Sequence, residues 1–346
     1  MKNIFTIIAL TVLFNMNAQT FSFFWFPGTG LNAIQTTNAT ASGHDSTAMG
    51  YSTEASGVSS TAMGNGTTAS GSRSTAMGRI TEASGGSSTA MGQSTTASGQ
   101  ISTAMGLATE ASGNYSTAMG RSTEASGGSS TAMGQSTTAS GAYSTAMGNG
   151  TTASESNSTA MGANSTASGT VSTAMGNATA ASGFASTAMG YQTDASGSNS
   201  TAIGRDTLAN GNYSTAMGRD TESSGDNSTA IGKSTTASGF GSTAIGQHNV
   251  LNSGDAATSF NLTNTALSIG NGTSSAARSD AFSVLFNGNT TVAGSVTAES
   301  LNIAALNAAP ASASATGTIG EIKFTADHIY VCVDDNTWRR VAIATF

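Results

Sequence analysis

Three hundred and forty-six residues with a net charge of −7 include only 8% charged and 6% aromatic residues, against 43 glycines. No basic cluster is present, which excludes nucleic acid as a partner, and a chain so rich in glycine, alanine, serine and threonine cannot fill a thick apolar core. The one cysteine, Cys332, cannot form an intrachain disulfide, and no Cys/His spacing suits a metal.

Residues 1–18 read as a secretion signal: Lys2 supplies the positive end, Ile4 to Phe14 the apolar stretch, and Met16-Asn17-Ala18 the cleavage site. The apolar run is well short of the roughly 20 residues that a membrane span needs. The expected location is therefore outside the cell or on its surface. Residues 19–38 form a cap region, in which the aromatic cluster Phe21 to Phe26 covers the open first end of a repeat array. Contact with a membrane or a partner is the other reading of that cluster.

From residue 39 to 254 one pattern governs the chain. Ser-Thr-Ala-(Met or Ile)-Gly recurs fifteen times at a spacing of 14 residues, from Ser46-Thr47-Ala48-Met49-Gly50 to Ser242-Thr243-Ala244-Ile245-Gly246. A second element follows each copy at fixed offset, as in Thr53-Glu54-Ala55-Ser56-Gly57. Strict short-period similarity predicts an all-β solenoid whose coils touch only their neighbours. Both prolines, Pro27 and Pro310, lie outside the array, as a parallel ladder requires. With Ser46 as position one, positions one to five and eight to eleven are the strands, and glycines at five and twelve supply the corner angles. Coils about 4.8 Å apart make a rod of roughly 70 Å.

Neighbouring strand residues point to opposite faces. Thr47 and Met49 share one face and Ala48 takes the other, and none of these three columns carries a charge in any coil. Position nine, by contrast, holds Glu54, Glu82, Glu110, Glu124, Asp194 and Glu222, so that face is wet. One strand thus suits burial on both faces and the other on one. A single roll has one interior, so the extra face must meet another chain. Because packed sheets sit about 10 Å apart, alanine against alanine would leave a gap. The expectation is that the roll core is Met49, Met63, Met77, Met91, Met105, Met119, Met133, Met147, Met161, Met175, Met189, Ile203, Met217, Ile231 and Ile245. Ala48, Ala62, Ala76, Ala90 and Ala104 would then line the interface between chains.

The last coil decays, with Asn249 in the place of threonine and Leu251 in the place of alanine. Residues 255–303 form a transition region of short strands, such as Phe282 to Phe286, a turn at Asn287-Gly288, and Thr290 to Val296. Residues 304–316 are an Ala/Ser linker around Pro310. Residues 317–346 make a small antiparallel meander with strands at Glu321–Thr325, His328–Val333 and Trp338–Ala344.

The repeat resembles the head repeat of the trimeric autotransporter adhesins, the YadA-like head, with threonine for valine and methionine for isoleucine except at Ile203, Ile231 and Ile245. The resemblance covers residues 39–254. It implies a left-handed parallel β-roll, a homotrimer, and display on a cell surface for adhesion to an extracellular protein or glycan. That family continues into a coiled-coil stalk and a four-strand membrane anchor, and neither pattern is read here. The tail, from Gly320 to Ala342, instead resembles terminal modules of phage and virus fibre-type proteins.

Three function classes compete: a non-enzymatic surface fibre or adhesin head, a virion or tail fibre, and an ice-binding solenoid built on stacked threonines. Irregular glutamates in position nine count against the last. Calcium-binding repeats need aspartates at fixed turn positions, which are missing. His44, His248 and His328 lack an acid or nucleophile nearby, so no catalytic residue, metal or cofactor is expected. Ligand contact, where it occurs, falls to projecting turn residues such as Tyr51, Arg73 and Arg121; Trp338 in the tail is a further candidate, although packing of the small meander is the favoured reading for it.

Overall fold

The computed structural model describes residues 26–300, 302–303 and 305–343. The expected secretion signal at 1–18 and all of the aromatic cluster except Phe26 lie outside the described residues. Among the described residues every regular element is a strand. The chain divides into two compact units, residues 1–293 and 294–346.

Each coil of the first unit contributes one long and one short strand. The long strands run from Thr47–Tyr51 to Thr243–Gln247 and join a 20-stranded sheet, while the short ones, from Ala39–Ala41 to Thr236–Ala237, form a 15-stranded sheet. Pairing is parallel and in register, so that Met91 lies beside Met77 and Met105, and Ala90 beside Ala76 and Ala104. The fourteen-residue period is therefore the circumference of one coil.

The corners differ from expectation in an instructive way. Left-handed backbone falls at positions seven and fourteen, in most coils on residues other than glycine: Ser52 has φ 53° and Ser59 φ 56°. Their N–H groups bond back to the preceding coil, Ser52 to the Asn38 carbonyl at 2.8 Å and Ser59 to the His44 carbonyl at 2.7 Å. These bonds offset the steric cost of left-handed angles. The glycine at position twelve has another purpose. A Cβ on Gly57 would collide with the carbonyl of Gly71 one coil further on, so close approach rather than φ demands glycine there. Gly50 needs both, with φ 126° and the Gly64 carbonyl against it.

The interior corrects the expected facing. Ala48, Ala62, Ala76, Ala90 and Ala104 are all 0% exposed within a single chain, as is Ala55 opposite. They fill the roll and cannot be the surface where two chains meet. Ser46 and Thr53, at 0% and 2%, complete the filling. Because Ser46 and Ala48 share a face, Met49 must point outward with Thr47. Met49 and its equivalents Met63, Met77, Met91, Met105, Met119, Met133, Met147, Met161, Met175, Met189, Ile203, Met217 and Ile245 are half-buried, and Ile231 is exposed. In the regular coils the connections between strands are two and five residues long, and the small side chains of Ala, Ser and Thr fill the interior that they enclose.

Both ends of the roll are covered. At the start, Phe26–Pro27 pairs antiparallel with Ile34–Gln35, which in turn joins the strand Thr47–Tyr51. Pro27, which lacks an N–H, blunts that edge. At the far end Thr243–Gln247 pairs with Thr265–Asn271, and two antiparallel strands, Asp280–Leu285 and Thr290–Val292, finish the sheet. The second unit is a three-stranded antiparallel sheet of Ile322–Phe324, His328–Asp334 and Thr337–Ala342. The Ala/Ser segment expected to be a linker packs against it: the Trp338 N–H donates to the Ala313 carbonyl at 2.8 Å.

Candidate functional site

The long sheet presents outward two uncharged columns, the threonines of position two and the methionines or isoleucines of position four, through all fifteen coils. A half-exposed apolar stripe of that length is uncommon on a chain that stays solitary. The opposite outward column, position nine, mixes Thr68, Thr96 and Thr138 with Glu54, Glu82 and Glu110. In this column Asp194 sits between Ala180 and Leu208, and partial burial there holds its carboxyl above the usual carboxylate range.

The corners carry the projecting side chains. Tyr51 is 61% exposed, and Arg73 and Arg121 stand in solvent at positions fourteen and six. Arg205 lies 5.6 Å from the centre of the Tyr191 ring and pairs with Asp206 at 3.0 Å. Of the two places the sequence allows for Trp338, packing within the small meander or contact with a ligand, the structure shows the first. The residue is 5% exposed, donates from Nε1 to the Ala315 carbonyl at 3.0 Å, and has Lys323 Nζ 4.8 Å from its ring centre. Its ring is the packing centre of the small sheet, and burial removes it from ligand contact.

One grouping escaped the sequence reading. Arg205, Arg219 and Lys233 follow one another in register at position six. Arg278 arrives from the hairpin after the roll and, through Nη1, donates to the carbonyls of Ser234 at 2.9 Å and Asn249 at 3.1 Å. Arg219, Lys233 and Arg278, together with His248, border an open recess of about 560 Å³. The available signal was the column itself: position seven runs Asp206, Asp220, Ser234, His248, so the acid that accompanies each cation stops after the second coil.

The fold defines a parallel β-solenoid of fourteen-residue coils. Ten segments between residues 37 and 249, some of them overlapping, match the model of the YadA head domain repeat. This chain belongs to that family. A stretch of 37 residues is also 51% identical to a Klebsiella phage K5-2 protein, "Depolymerase 1, capsule K30/K69-specific". That stretch is 11% of this chain and 5% of the phage protein, so the chain spans about a twentieth of the length of that relative.

Proposed function

We propose that the protein is a non-enzymatic, secreted or cell-surface fibre whose roll assembles as a homotrimer and serves as an adhesive head. The observation that carries this reading is the uncharged Thr/Met face, outward and half-exposed in every coil of a family that forms adhesin heads. A second copy offers the same face in the same spacing, so stacked methionines can interdigitate along the whole rod. The ligand is an extracellular protein or glycan, met by corner residues such as Tyr51, Arg73 and Arg121.

Sedimentation of the full chain tests the assembly. The expected result is a trimer that melts at higher temperature as its concentration rises, with Met105→Glu and Met133→Glu together giving monomers. A wild-type monomer would overturn the reading.

The short match to a phage protein favours a second reading, a structural fibre of a virion. Antibody labelling separates the two: label on intact producing cells supports the adhesin, and label on purified particles supports the virion fibre.

A further inference from the structure

We propose that the recess bordered by Arg219, Lys233 and Arg278 binds an oxyanion: the carboxylate, sulfate or phosphate of a small acid or of an acidic sugar. This is independent of how many chains assemble.

Its charge is the first argument. The whole chain has 11 lysines and arginines and a net charge of −7, yet three of those cations face one opening. Only Asp220 balances them there, through Arg219 Nε at 3.4 Å. Lys233 has no ion pair among the described residues. In the preceding coils the residue after each arginine is an aspartate, Asp206 and then Asp220, whereas after Lys233 it is Ser234. The column thus changes from self-neutralised pairs to unneutralised cations where the hairpin closes over it.

The geometry is the second argument. Arg278 spends Nη1 on two backbone carbonyls, which fixes the guanidinium across the corners of two successive coils. Nε and Nη2 have no protein acceptor among the described residues, so a planar donor edge is held in place before any ligand arrives. Thr273, Ser274 and Ser275 add hydroxyls along the rim, as suits a ligand bearing both charge and hydroxyl groups.

His248 supplies an independent observation. It lines the recess, is only 6% exposed, and its Nδ1 is buried without a hydrogen-bond partner. Burial, then the charges of Lys233, Arg278 and Arg219, push its pKa below the ordinary histidine value, against a smaller opposing effect of Asp220. The part of that lowering that comes from Lys233, Arg278 and Arg219 agrees with the three cations facing the same opening.

The test uses calorimetric titration of the full chain with galacturonate, inorganic sulfate and inorganic phosphate at millimolar concentration. Lys233→Gln writes the residue that already stands at this position in Gln93, Gln135 and Gln247, and Ser234→Asp writes the one found at Asp206 and Asp220, so both variants keep the roll. Arg121→Gln, in the same column but remote from the recess, is the control. Loss of a charge-assisted bond should weaken binding about tenfold in Lys233→Gln. Ser234→Asp should abolish binding, and Arg121→Gln should leave it unchanged. Tighter binding of galacturonate identifies a sugar acid, and tighter binding of sulfate or phosphate identifies a small inorganic anion. Either result supports the site. No heat with any of the three probes, or equal weakening by Arg121→Gln and Lys233→Gln, overturns it.

Discussion

The side-chain amide of Asn249 bonds both backbone groups of Thr236, accepting from its N–H at 2.8 Å and donating to its carbonyl at 2.9 Å. It is 2% exposed and also donates to the Val250 carbonyl at 3.0 Å. One side chain thereby takes the place of the next strand in the short sheet, whose last member is Thr236–Ala237. A parallel ladder that simply stopped would leave an N–H and a carbonyl open to pairing with other chains.

Asn249→Ala should therefore lower the stability of the roll's far end by about 2 kcal/mol, because two buried backbone groups lose their partners. Asn249→Asp should cost more, since a carboxylate would face the Thr236 carbonyl. Hydrogen exchange at the Thr236 amide checks both: protection should fall in each variant while amides near Met105 stay unchanged. Unaltered protection at Thr236 would refute the capping role.

Much of this was legible before the fold was known. The period set the coil, the charge pattern at position nine set the wet face, and Asn249 and Leu251 marked the decaying coil. The facing of Ala48 and Met49 was not legible, because both columns are uncharged and alternation alone does not say which side is inside. What decided it was the space inside the roll, which Ala48, Ala55, Ser46 and Thr53 already fill and which composition does not reveal. The recess was missed for a different reason. Arg278 is 45 residues beyond Lys233 in sequence and outside the repeat, so only the hairpin after the roll brings them together.

Position twelve offers a stabilising change. Gly141 and Gly169 each place an N–H on the position-ten carbonyl of the next coil, Ala153 at 3.3 Å and Ala181 at 3.1 Å. Glu155 is the departure from glycine in this column between them, and its N–H makes no such bond to Ala167, which accepts from Ser154 alone. At the flanking glycines a Cβ would overlap the next coil's carbonyl, so a residue with a side chain at this position must shift its backbone and forgo the bond. Glu155→Gly should restore the bond and add about 1 kcal/mol, read as a higher midpoint in thermal unfolding. A lower midpoint would show that the bond that the Thr170 hydroxyl donates to the Glu155 carboxylate, at 3.5 Å, outweighs the missing backbone bond.

Val171 stands at position fourteen with φ 63°, where a β-branched side chain crowds the backbone. Asn157, Asn199 and Asn227 occupy the same corner with φ 58°, 56° and 58°. Val171 is 49% exposed, so little packing is lost on replacing it. Val171→Asn should stabilise the roll by about 1 kcal/mol, with the Val171 N–H still bonded to the Ser156 carbonyl. Denaturant unfolding with an unchanged slope and a higher midpoint is the expected result, and a lower midpoint refutes it.

Asp194 gives the pH prediction. Its carboxyl is held above the usual value by partial burial, and its Oδ1 is buried without a hydrogen-bond partner among the described residues. A raised folded-state pKa means that the folded chain binds a proton more readily than the unfolded one. Stability from this group is then present at acid pH and is lost as pH rises from the unfolded value of 3.8 through the folded one. At neutral pH the charge is a net cost. Asp194→Asn, which keeps the shape and removes the charge, should raise the melting temperature at pH 7. That gain should shrink as pH falls below the folded-state value, where the wild-type carboxyl is itself neutral. Melting curves of both proteins across that range decide the matter: a gain that stays constant with pH, or a loss at pH 7, would show that the carboxylate is stabilised by a neighbour rather than penalised by burial.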